Sequence, residues 1–137
     1  AMRVAPDEAP DEAHDEAHGE RPFHALARYL AGEFDAHLAL EDDVLFPALA
    51  HGAPELAFAL EPLREEHDDL RDMTRGLSTL LACPRTPQRD EQLAVLGRDL
   101  TDLARLHIRK EERSLLAWSE RVLPAAVRAE LERRLAR

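Results

Sequence analysis

The sequence holds a single cysteine, Cys83, in 137 residues, so an intramolecular disulfide and a paired-thiolate motif are both excluded. It has five glycines and 4% aromatics, and no Gly-rich stretch that could cradle a phosphate. No apolar run reaches the length of a signal h-region or a membrane span, and a reducing cytoplasm is the expected compartment. Basic residues are the minority, 18 against 28 acidic, for a net charge of -10. A nucleic-acid backbone or an anionic membrane would be repelled. No Ser-His-Asp arrangement is visible. What remains is rich in Ala, Leu, Arg and Glu, a mix that favours helix over strand. The length suits one domain with one core, and the fold class expected is all-α.

Residues 3–20 read RVAPDEAPDEAHDEAHGE, too polar to supply a packing face. The expected division is an acidic arm over 1–21, disordered or forming a short helix near Asp11 to His18, followed by a helical bundle over 22–137. Pro22 suits a first helical position. From there Phe23, Leu26, Leu30, Phe34, Leu38, Leu45 and Leu49 recur at a helical period, predicting a long helix to His51-Gly52. Leu56 to Leu81 predicts a second, kinked early by Pro62 and closed by Cys83-Pro84. Thr86 reads as the N-cap of a third, with Pro87 behind it, running to about Arg121. Pro124 restarts a short last helix through Leu135. Long helices joined by loops of a few residues run antiparallel. The acidic arm, the C-terminal helix and a second subunit are all candidates for a fourth member, and an uncovered groove would favour a homodimer.

Stepping by three and four along the expected buried stripes gives Leu30, Phe34, His37, Glu41, Val44 and Ala48 on the first helix. The second gives Leu60, Leu63, His67, Leu70 and Thr74, and the third Leu100, Leu103, His107, Glu111 and Trp118. The spacing H-x-x-x-E, at His37-Glu41 and again at His107-Glu111, sets an imidazole and a carboxylate on one face one turn apart. Depth ties the helices together. With a loop near residue 52, His37 lies fifteen residues before it and His67 fifteen after. With a loop near residue 87, His67 and His107 lie twenty residues to either side. At about 1.5 Å per residue the three histidines share one layer.

A carboxylate buried without a partner costs several kcal/mol, against a total stability of roughly 5–15 kcal/mol. Glu41 and Glu111 therefore need a cation. A metal bound by imidazoles and carboxylates answers the need, and mixed N/O ligation suits iron, manganese or zinc. The alternative is a polar network in which Arg71, one turn after His67, pairs with the glutamates. His14 and His18 share i, i+4 spacing but belong to the acidic arm. His24 and His51 read as helix-end surface residues, and Tyr29 as rim packing.

At HLALEDDVLFPAL (37–49), EEHDDLRDM (65–73) and HIRKEERSLL (107–116) the sequence resembles the hemerythrin-like family, the His-His-Glu cation-binding domain, over about Phe23 to Pro124. That resemblance implies an up-and-down four-helix bundle around a non-haem di-iron centre. It implies His37, Glu41, His67, His107 and Glu111 as metal ligands, with the carboxylates bridging. Two departures stand out. Arg71 occupies the place of a second His in the oxygen carriers, and the family's first-helix His has no counterpart, since the ligand depth falls near Val4 with Asp7 and Glu8 the nearest donors. The functional reading is an iron protein that holds O2, peroxide or NO, or handles iron. A di-iron oxidase or peroxidase, with Tyr29 or Trp118 as the redox residue, is the enzyme alternative. A metal-free helical dimerisation module is the other.

Overall fold

A computed structural model describes residues 12–135, with side chains from residue 19 onward. The expectations about Val4, Asp7, Glu8 and the side chains of His14 and His18 lie outside what it describes. The first rod is one uninterrupted run of right-handed helical backbone. It comprises α1 (Glu12–Tyr29), a wide π-helical turn at Leu30–Phe34, α2 (Asp35–Leu40), a second π-helical turn at Glu41–Leu45, and α3 (Phe46–Gly52). Ala53 and a 3-10 turn (Pro54–Leu56) lead into α4 (Ala57–Ala82), then α5 (Pro87–Val122) and α6 (Ala125–Leu135). Among the described residues there is no strand, and the all-α bundle read from the sequence is what the chain forms.

The expected start at Pro22 differs from the observed one. Helix α1 is already formed at Glu12, and Pro22 sits inside it. The rod thus crosses residues 21 and 22 without a break, and the described part of the acidic stretch prolongs the first helix rather than folding back beside it. What fastens this extension is Glu20. The Arg89 guanidinium grips its carboxylate, Nη1 to Oε2 at 2.5 Å and Nη2 to Oε1 at 3.3 Å. Arg89 also donates to the Leu80 and Leu81 carbonyls at the end of α4. One turn further on, the rod lies close against α5, where a Cβ added to Gly97 would fall 2.7 Å from the Phe23 ring.

Arg89 is 5% exposed, and its hydrogen bonds hold the Glu20 carboxyl below its ordinary 4.5 against the opposing pull of burial. A carboxyl lowered by folding stabilises the native state fully above its unfolded pKa, and that contribution is lost as pH falls through the folded value. The stability gap between the wild type and Glu20→Gln is therefore expected to be constant near neutrality. It should shrink once the pH drops below about 4.5, as read by urea unfolding at each pH. A gap independent of pH would show that Glu20 acts by packing alone.

The remaining helices follow the pattern closely. Pro62 is exposed inside α4, which runs unbroken from Ala57 to Ala82. Thr86 caps α5 as expected, its Oγ1 accepting from the Arg89 N–H at 3.0 Å with Pro87 behind it. Burial on α4 falls on Leu60, Leu63, His67, Leu70, Thr74 and Leu77. On α5 the centre of the buried face passes through the small Gly97 and Ala104, while Leu96 and Leu103 flank it.

The first rod departs from its expected stripe at one place. After Glu41 the buried positions are Leu45, Phe46 and Leu49, not Val44 and Ala48. The cause is the second π-helical turn, where the Phe46 N–H bonds the Glu41 carbonyl five residues back. Pro47 follows directly, and it has no N–H for the Asp43 carbonyl and a ring that would crowd it. A wider turn just ahead relieves that conflict and advances the buried face by one residue.

Two apolar clusters result. One holds Phe34, Leu38, Leu70, Leu77 and Leu100, and the other Phe46, Leu49, Leu60, Leu63 and Leu115. Helix α6 joins the second through Leu131, which is 6% exposed. Between the two clusters lies a layer of buried polar side chains.

Candidate metal centre

That layer consists of Glu41 from the rod, His67 from α4, and His107 and Glu111 from α5, each no more than 3% exposed. One donor atom from each of the four can be chosen so that all lie within 4.8 Å of one another. The loops fall at 53–56 and 83–86, a few residues from the centres near 52 and 87 that the depth count assumed, and Glu41 rather than His37 takes the rod's place beside His67 and His107. The His67 and His107 rings meet edge to face, centroids 4.8 Å apart. Glu111 clasps both, Oε2 at 2.8 Å from His67 Nε2 and Oε1 at 2.9 Å from His107 Nε2. Glu41 divides its oxygens, Oε1 lying 3.2 Å from His67 Nε2 and Oε2 3.0 Å from His37 Nε2. His37, the fifth residue expected here, sits at the edge with its side chain 35% exposed.

Both buried imidazoles are oriented from behind. His67 Nδ1 lies 2.8 Å from Asp42 Oδ1, and His107 Nδ1 2.7 Å from Glu66 Oε1. A carboxylate on Nδ1 fixes the proton there and turns Nε2 inward. These partners are themselves tethered. Arg71 donates to Asp42 Oδ2 at 2.9 Å and to Asp35 Oδ1 at 2.8 Å, and Lys110 donates to Glu66. Reading the sequence missed Asp42 and Glu66. Each is the chain neighbour of an inward residue, Glu41 or His67, and such a position faces the adjoining helix at the same depth. Arg71 pairs with Asp35 and Asp42, not with Glu41 or Glu111, so the polar network expected under the alternative reading does not form as described.

Burial pushes Glu41 up, yet the His37 and His67 imidazoles beside it outweigh burial and bring the carboxyl down to about 2. Burial likewise pulls His67 down, but Glu111 and Glu41 raise it to about 10. His37 is raised by its bond to Glu41, and His107 is raised by Glu111 and Glu66 in spite of burial. Burial raises Glu66 less than Lys110 and His107 lower it. Imidazolium protons thus supply the positive charge that the glutamates require. They do so imperfectly: Glu41 Oε1 and His107 Nε2 are buried without a hydrogen bond, although each stands at ion-pair distance from a neighbour. Their geometry suits a common centre better than it suits each other, and the donor set fits a metal cation.

A helical bundle with such a layer has the donor set of a cation-binding domain. The family model of the hemerythrin HHE cation binding domain matches residues 2–119, and the chain belongs to that family. The match begins some twenty residues before the segment in which the resemblance was first legible, and takes in the acidic stretch. No curated protein and no solved structure matches the chain. Among the described residues no helix is long and apolar enough to cross a membrane.

Proposed function

We propose that the chain is a non-haem iron protein that takes up O2, NO or peroxide at a centre held by His37, Glu41, His67, His107 and Glu111. The observation that carries the reading is the convergence of four buried donors, two of whose polar atoms lack a hydrogen bond. Imidazole with carboxylate suits iron, and the sole cysteine, Cys83, is exposed in the α4–α5 loop. Iron bound there would supply reversible electron transfer and an open coordination position. The chain's own groups do the rest. Glu41 and Glu111 neutralise the cation, while Asp42 and Glu66 hold the His67 and His107 rings in register. A cavity of about 310 Å³, walled by Leu45, Ile108, Leu115 and Leu116 together with Glu112 and Glu132, adjoins His37, Glu41 and Glu111 and gives a small ligand room to reach the centre. Purification without oxygen, elemental analysis and optical spectra before and after air test the reading. Bound iron with a spectrum that responds to air is the expected result, and a protein that binds no metal after reconstitution with ferrous iron would refute it.

The buttressing carboxylate makes a separate prediction. Asp42→Asn keeps the side chain's size but cannot hold the His67 Nδ1–H as a charged acceptor. Loss of such an outer partner typically costs about 10- to 100-fold in metal affinity, with the number of ions bound at saturation unchanged. Competition with a chromophoric chelator reads the affinity, and an unaltered value would mean that His67 is oriented by packing alone.

A further inference from the structure

We propose that the outer face of α5 pairs with the same face of a second copy of the chain, the two helices running antiparallel about a two-fold axis at Leu106. At 3.6 residues per turn, Val95, Asp99, Asp102, Leu106, Arg109 and Arg113 fall on one strip of α5, turned away from the buried line through Gly97, Ala104 and Glu111. All six are exposed, Val95 at 43% and Leu106 at 59%. Leu106 and the half-buried Leu103 line a groove of about 670 Å³ that reaches Glu66 of α4.

The charges on the strip select its occupant. It is acidic toward the start of α5 and basic toward the end, with Leu106 between. Asp99 and Arg113 each stand seven residues from Leu106, and Asp102 and Lys110 each four. An antiparallel pairing centred on Leu106 therefore sets Asp99 opposite Arg113 of the other copy and Asp102 opposite Lys110, each pair occurring twice by symmetry. A parallel pairing would set every charge against its like. An acidic peptide could satisfy the basic half, but it would bring negative charge against Asp99 and Asp102. Among the described residues Asp99, Asp102, Arg109 and Arg113 have no ion-pair partner within the chain, whereas Lys110 is already held by Glu66. Copies of a chain with net charge -10 repel one another at a distance. Contact between them needs local complementarity of this kind.

The test is sedimentation equilibrium of the full chain as purified. A pairing built chiefly on one helix belongs at the small end of interface sizes, so concentrations from about 1 μM to 1 mM are covered. The wild type is compared with Asp99→Arg, with Arg113→Glu, and with an equimolar mixture of those two variants. Both positions are exposed, so the variants should fold, as circular dichroism would verify. The wild type is expected to dimerise. Each variant alone sets like charges together at both symmetric contacts and should dimerise at least about tenfold more weakly. In the mixture one contact joins the two substituted side chains and the other the two native ones, so dimers should return. Leu106→Glu places a charge on the axis and should stay monomeric. Variants that dimerise as well as the wild type would overturn the choice of face, and a mixture that stays monomeric would overturn the antiparallel register. A wild type that is monomeric at every concentration would overturn the proposal as a whole.

Discussion

Ferrous iron added anaerobically to the metal-free protein is expected to raise its unfolding midpoint by roughly 10 °C. A ligand that binds only the folded state, at a hundred times its dissociation constant, adds about 2.7 kcal/mol. For a chain of this size each kcal/mol moves the midpoint by about 3–5 °C. The effect depends on the buried carboxylates. Glu41→Ala combined with Glu111→Ala should abolish the iron-induced rise altogether. Without those carboxylates the His67 and His107 rings lose only the acceptors facing Nε2, while Asp42 and Glu66 still hold their Nδ1 protons. The metal-free form of the double variant should therefore remain helical by circular dichroism. An iron-induced rise that survives in it would place the ions elsewhere. Absence of any rise in the wild type would favour a bundle that retains its polar layer only for packing or partner binding, with a stability indifferent to chelators.

The second large effect lies at the other end of the bundle and leaves the metal alone. Arg89→Met preserves much of the side chain's bulk but removes the guanidinium that ties Glu20 to the ends of α4 and α5. Glu20, with its side chain 15% exposed, would lose its main partner, and the Leu80 and Leu81 carbonyls would lose their side-chain donor. Breaking one side of a buried pair costs about 3–5 kcal/mol. Because Arg85 Nε still stands 3.3 Å from Glu20 Oε2, the loss should fall at the lower end, near 3 kcal/mol, or a fall of about 10 °C in midpoint. Thermal unfolding gives the size of the loss, and iron content at saturation should not change. A variant as stable as the wild type would mean that the rod is docked by its apolar face alone.

Much of this architecture was legible before any coordinates. Three amphipathic stripes, two short loops and the Thr86-Pro87 cap set three helices side by side, and counting from the loops put His67 and His107 at one depth. What escaped the count was local. A periodicity of 3.6 assumes that every turn has the same width, so it kept His37 on the buried line and chose Val44 and Ala48 after Glu41. The π-helical turn moved burial to Leu45 and Leu49, and before it Leu38 takes the buried position with His37 beside it at the rim. Pro47 was the available signal, since a proline inside a helix must disturb the turn before it. Asp42 and Glu66 escaped for another reason. Stripe analysis sorts residues into inward and outward, whereas these point sideways, along the seams between helices. The start of the rod was misplaced because Pro22 satisfies the rule for a first helical position, yet Glu20 finds Arg89 sixty-nine residues away, and local propensity carries no information about such a partner.

The wide turn at Glu41–Leu45 also marks a point where the rod can absorb a change of chain length by one residue. An α-helix turns by about 100° per residue. Deleting one residue between Asp42 and Phe46 would let the turn tighten to ordinary helix, with every backbone bond remade and helix content scarcely altered. Because the wide turn absorbs about one extra residue, the rod on either side would keep nearly its present facing, with Glu41 still toward His67 and Leu49 still in its cluster. A homologous chain shorter by that residue could thus keep its carboxylate in place through ordinary helix, whereas a deletion in the regular turns of α2 would rotate the rod by about 100° and carry Glu41 away from His67.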